Sequence, residues 1–91
     1  MRVAQAIEQK LEAALSPQHL DVIDESHLHA GHAGARPEGE SHFRVTIVAE
    51  QFRGLGRVQR QRLVYKALAE EMESDIHALA LVTQTPEEAA A

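Results

Sequence analysis

The chain contains no cysteine. That excludes a disulfide framework, a thiolate metal site and a cysteine nucleophile made by this chain alone. It has no tryptophan, and its only aromatics are Phe43, Phe52 and Tyr65, so the core must be built mostly from Leu, Ile, Val and Ala. No run approaches the roughly 20 apolar residues of a membrane span. Residues 1–15 carry Glu8 and Glu12 and lack an apolar block, which argues against a signal or transit peptide and for a cytoplasmic location. Enzyme signatures are missing too: there is no Gly-x-Ser-x-Gly, no phosphate loop with Gly-Lys-Ser/Thr and no dinucleotide fingerprint. Asp24-Glu25 and Glu70-Glu71 are sequence neighbours whose side chains diverge, so spacing does not make them acid–base pairs. The expectation is a protein that binds and is not an enzyme.

What is present fits one small domain spanning 1–91. A chain of 91 residues holds one core and buries roughly 60–65% of its unfolded surface. The net charge of −5 argues against general polyanion binding. The charges are nevertheless segregated. Arg53, Arg57, Arg60, Arg62 and Lys66 fall in a stretch without an acid, and residues 67–91 carry acids without a base.

Val3, Ile7, Leu11 and Leu15 recur every four residues, which predicts an amphipathic helix over 2–15. Ser16-Pro17 should end it. Leu20 to Asp24 reads as a short strand. Residues 25–40, with Gly31, Gly34, Pro37 and Gly39, form a long connection of the kind that is functional or mobile. Residues 41–50 give the clearest strand: Phe43, Val45, Ile47 and Ala49 face one side, His42, Arg44, Thr46 and Val48 the other. Phe52 to Gly56 is a turn. Arg57 to Glu73 should be one long helix, its apolar face made by Val58, Tyr65, Leu68, Ala69 and Met72, with Leu63 and Val64 beside them. Ile76 to Thr83 is apolar on both faces, as for a buried strand. Thr85-Pro86-Glu87-Glu88 has a capping threonine, a proline at the first helical position and a glutamate three after the cap, and starts a short C-terminal helical stub, a truncated tail over 85–91. The fold class is α/β (α+β), with order α-β-β-α-β, a right-handed parallel crossover, a three-stranded mixed sheet and both long helices on one face.

Six histidines are an enrichment, and His27, His29 and His32 share the glycine-punctuated loop. Imidazole suits zinc and iron, yet short histidine-rich tracts are only a compositional hint, and a polar loop can simply contain histidines. His77 opens the last strand; taken alone it reads as a half-buried histidine satisfied by a backbone group. His42 reads as an outward residue in a cross-strand polar pair. Arg53, Arg57 and Arg60 lie on one helical edge, either as a solvated flank or as a site for an anionic partner. The Arg-Gly-Leu-Gly-Arg run is a weak signal that more often marks a turn.

Several separated motifs together resemble the BolA family. They are Asp24-Glu25-Ser26 before a histidine-bearing loop, Gly39-Glu40-Ser41-His42-Phe43, and Phe52-x-Gly54 before Val58-x-Arg60-x-Arg62-x-Val64-Tyr65. Ile76-His77-Ala78-Leu79-Ala80-Leu81 and Thr85-Pro86 complete the set. The resemblance runs from about residue 5 to residue 88. It implies a fold like the class II KH domain. It also implies partnership with monothiol glutaredoxins of the Cys-Gly-Phe-Ser type, in which a [2Fe-2S] cluster is shared and the glutaredoxin cysteine and glutathione supply sulfur. The isolated chain is then expected to hold no cluster. The resemblance makes His77 a ligand and His29, at the family's Glu-Ser-x-x-His spacing, the second, with His32 its nearest rival. Relatives often carry Arg-His-Arg where this chain has Arg60-Gln61-Arg62, so no ligand falls there.

Two functions follow as expectations. One is an adaptor in iron–sulfur cluster trafficking or iron homeostasis, with Arg53, Gly54, Gly56, Arg57, Arg60 and Arg62 helping to dock the glutaredoxin or glutathione. The other is a DNA-binding transcription regulator using the same glycine turn and basic helix. The shortage of base-reading side chains and the negative charge favour the first.

Overall fold

A computed structural model describes residues 2–26 and 41–91. Helix α1 spans Arg2–Leu15 and buries Val3, Ala4, Ile7, Leu11 and Leu15, the stripe predicted from their spacing. It ends where Ser16 takes a positive φ of 43°, because the following Pro17 disfavours helical backbone at that position. Strand β1 is His19–Asp24 and β2 is His42–Val48. They pair antiparallel, with Val22 opposite Val45 and Leu20 opposite Ile47. A 3₁₀ turn, Glu50–Phe52, and the loop around Gly54 lead into α2, Arg57–Ala67. Helix α3, Ala69–Ser74, follows, then β3, Ala78–Gln84, and α4, Pro86–Ala90. Strand β3 pairs parallel with β2, giving the order β1-β2-β3.

The core lies between the helices and one face of this mixed sheet. Phe43, Val45 and Ile47 from β2 meet Val3, Ile7 and Leu11 from α1 and Val64 and Leu68 from the α2–α3 arm, all almost wholly buried. The expected three-stranded sheet, the helices on one face and the C-terminal capping box are present. Thr85 Oγ1 accepts from the Glu88 N–H at 3.2 Å, and Glu88 Oε1 accepts from the Thr85 N–H at 2.8 Å. No helix among the described residues is long and apolar enough to cross a membrane.

Two expectations are corrected. The helix over 57–73 divides at Leu68, and its inward stripe is Val64, Leu68 and Glu71 with Leu63, Ala67 and Met72 half-buried. Val58 is 58% exposed and Tyr65 39%. Val58 stands six residues before Val64, about 120° round a helix of about 3.6 residues per turn, so the two cannot share a face. Strand β3 is not buried on both sides. It is a sheet edge whose Leu79 and Leu81 turn inward while Ala78, Ala80 and Val82 line the open outer face. His42 lies on that outer side of β2, as expected, and is 5% exposed.

Candidate functional site

The end of the sheet where β1 stops and β2 and β3 begin is tied together by serines. Asp24 Oδ1 accepts the Ser26 N–H at 2.9 Å, an Asx turn that bends the chain out of β1. Ser26 Oγ accepts two backbone N–H groups, from Ser41 at 2.9 Å and from His42 at 3.1 Å. The Glu25 N–H donates to the His42 carbonyl at 2.8 Å. Ser41 in turn holds β3: its carbonyl accepts from the N–H of His77 at 2.8 Å and of Ala78 at 3.3 Å. Ser41 Oγ stands 3.3 Å from Ser26 Oγ and 2.9 Å from His42 Nδ1. Ser26 and Ser41 are 5% and 1% exposed, so these bonds lie in a largely dry setting where each counts for more than at the surface.

His77 sits one residue before β3 and is exposed. Its ring centroid is 5.2 Å from that of His42, with the planes tilted by 51°. The structure therefore places His77 beside the residues that open and close the histidine loop. His29 and His32 lie outside the described residues, as does most of the connection expected to be mobile. Sequence reasoning missed the part played by Ser26, Ser41 and His42. The available signal was a serine at each foot of the glycine-rich stretch.

The arginines lie elsewhere. The Arg60 side chain is 12% exposed. Its Nε donates to the Leu55 carbonyl at 2.9 Å and its Nη1 to the Thr83 carbonyl at 3.1 Å and to Glu88 at 2.6 Å. Its guanidinium also lies 5.8 Å from the Phe52 ring centre. Arg60 thus pins the turn, β3 and α4 to one another. It holds the Glu88 carboxyl down to about 2, helped by the Thr85 backbone N–H. Arg53 pairs with Glu50 and Glu87, and its hydrogen bond keeps the Glu50 carboxyl below the usual carboxylate range. Arg57 and Arg62 are exposed and form no ion pair among the described residues. Gly54 has φ of 79°, a conformation that favours glycine, whereas Gly56 caps α2 with ordinary extended backbone.

From His77 to Thr83 the chain is extended and spans about 20 Å at about 3.3 Å per residue. The histidine end and the Arg60 end of the molecule are therefore separate. Arg60, which donates to the Thr83 carbonyl, thus stands toward the other end of β3 from His77.

A small αββαβ domain with a histidine exposed at the start of its edge strand is the class this geometry defines. The family model of the BolA-like protein matches residues 11–88, and the chain belongs to the BolA-like family. It is 50% identical over 84 residues to human BolA-like protein 1, covering 92% of this chain and 58% of that protein. It is 44% identical over 88 residues to the DNA-binding transcriptional regulator BolA of Escherichia coli, covering 97% of this chain and 80% of that one. The solved BolA domain of SufE1 from Arabidopsis thaliana superposes with a TM-score of 0.84 at 44% identity, covering 93% of each chain. Several curated relatives are longer: this chain spans 23%, 54% and 58% of three of them.

Proposed function

We propose that this chain is a non-enzymatic adaptor that binds a monothiol glutaredoxin and shares a [2Fe-2S] cluster with it, His77 and a loop histidine, His29 or its neighbour His32, supplying nitrogen ligands. One observation carries the reading. Ser26 and Ser41 clamp the two feet of the histidine loop together, and the Ser41 carbonyl holds the backbone of His77 at the same point. The residues that flank the segment carrying His29 and His32 thus meet the backbone of His77 at one end of the sheet.

The donor set fits a shared cluster better than a resident one. The described residues contain no group of three or more His, Asp or Glu able to hold a metal, and the chain has no thiol. It offers nitrogen, and the sulfur must come from the partner and its glutathione. Imidazole in place of thiolate removes negative charge from one iron and raises the cluster potential. Metal binding requires a neutral imidazole, so acidification should weaken the site.

The test is co-expression with a Cys-Gly-Phe-Ser glutaredoxin and the visible absorption and circular dichroism spectra of the purified heterodimer. The cluster spectrum should be lost in His77→Ala, while the free variant melts within about 3 °C of wild type because no core cavity opens. A wild-type spectrum and cluster lifetime in His77→Ala refute the ligand assignment.

A second reading has its own support: the E. coli relative is named as a DNA-binding regulator, and Arg57 and Arg62 present exposed guanidinium groups at the start and middle of α2. With Arg53 and Arg60 engaged by glutamates, the electrostatic footprint is small. Two phosphate contacts give a log–log salt slope of about −1.8. A slope unaffected by replacing Arg57 and Arg62 sinks this reading.

A further inference from the structure

His42 is the first residue of β2 and is 5% exposed, whereas His77 beside it is open to solvent. The two rings lie 5.2 Å apart between centroids. The His42 end of this contact is fixed. Its backbone N–H is held by Ser26 Oγ at 3.1 Å, its carbonyl by the Glu25 N–H at 2.8 Å, and its Nδ1 lies 2.9 Å from Ser41 Oγ. Among the described residues, the His77 end is hydrogen-bonded at the backbone alone, to the Ser41 carbonyl. An exposed histidine in that position exchanges among staggered rotamers on a fast timescale. Contact with an immobile ring restricts which of them it occupies.

We infer that His42 is a positioning residue for His77: a buried, hydrogen-bonded ring that selects the orientation in which the exposed imidazole is presented to a metal centre. The inference rests on the reading of His77 as a ligand, and it adds a residue that does not itself touch the cluster. Groups that orient a metal-binding histidine set its affinity, and their loss weakens metal binding by about 10–100-fold. The contact here is unusual in running ring to ring. The hydrogen bond that fixes the outer group is made one step further back, at Ser41.

The test separates orientation from mere packing by using three variants. His42→Ala removes the ring. His42→Gln keeps a polar group near Ser41 without a ring face, and serves if His42→Ala does not fold. His42→Phe keeps a ring without its nitrogens. In the free chain, well below the melting temperature, the His77 Hα–Hβ couplings measured by NMR should show one dominant rotamer in wild type and in His42→Phe. They should average in His42→Ala and His42→Gln. In the glutaredoxin heterodimer the cluster lifetime should fall about tenfold or more in His42→Ala and His42→Gln, with a changed circular dichroism spectrum, and recover to within about threefold of wild type in His42→Phe. Unaveraged His77 couplings in the ring-less variants, or His42→Phe as deficient as His42→Gln, overturn the positioning role. A wild-type heterodimer without a cluster overturns instead the reading of His77 as a ligand, and the couplings in the free chain then still decide whether His42 orients it.

Discussion

Replacing Ser26 by alanine removes one oxygen and leaves two backbone N–H groups, those of Ser41 and His42, without their acceptor. Both residues are at least 95% buried, and a methyl group cannot take over the bond. A buried donor left unsatisfied costs about 1–3 kcal/mol. The two are adjacent at the end of a sheet, where one entering water can serve both in part, so the expected loss is about 2–3 kcal/mol. For a domain of this size each kcal/mol corresponds to about 4–8 °C, so Tm should fall by about 10–20 °C. Ser74→Ala is the control. Ser74 is exposed and its hydroxyl donates to the Glu70 carbonyl at 2.9 Å, so that variant should melt near wild type. Thermal melts by far-ultraviolet circular dichroism measure the loss, and amide hydrogen exchange locates it: protection should fall at Ser41 and His42 before it falls at Val45. A Ser26→Ala melt indistinguishable from Ser74→Ala, or unchanged protection at residues 41 and 42, refutes the clamp.

Glu88 is held at about 2 by Arg60, and Glu50 is held low by Arg53. A depressed carboxylate stabilises the fold fully above its unfolded pKa of about 4.3 and loses that contribution as pH falls toward the folded value, so Tm should drop between about pH 5 and pH 2. Glu88→Gln should flatten part of that drop in melts across the range. Gly54→Ala should cost about 1–2 kcal/mol, because its φ of 79° is strained for any side chain, whereas Gly56→Ala, with a Gln59 side-chain atom at 4.0 Å as its nearest contact, should stay within about 0.5 kcal/mol by urea titration. Leu68→Ala should lose about 2–5 kcal/mol from the core and Val58→Ala almost nothing, the reverse of which would restore Val58 to the inward face.

What could be read from the chain depended on whether neighbours in sequence decide the outcome. The four-residue recurrence of Val3, Ile7, Leu11 and Leu15 specifies one stripe, and α1 buries it. The alternation of Phe43, Val45 and Ile47 specifies one face of β2, and that face is the core. Thr85 and Glu88 cap each other within four residues. Around α2 the apolar residues Val58, Leu63, Val64, Tyr65 and Leu68 encircle the helix, so no single stripe is defined and packing against the rest of the core chooses Val64 and Leu68. The arginines read as a basic edge because Glu50, Glu87 and Glu88, which engage Arg53 and Arg60, lie outside the helix. His42 lies on the side of its strand that the alternation predicts, yet its contacts with Ser26, Ser41 and His77 are ones that periodicity within β2 does not reveal.

The serine clamp at the feet of the 27–40 segment also bears on how such a chain can change. Because Ser26 Oγ receives the Ser41 N–H directly, the sheet is closed off before the segment begins and after it ends. Residues added or removed in between leave the register of β1 against β2 untouched. The backbone positions of His42 and His77 are set by Ser26 and Ser41 at the sheet end, so the two histidines stay side by side whatever the length of the segment that joins those serines.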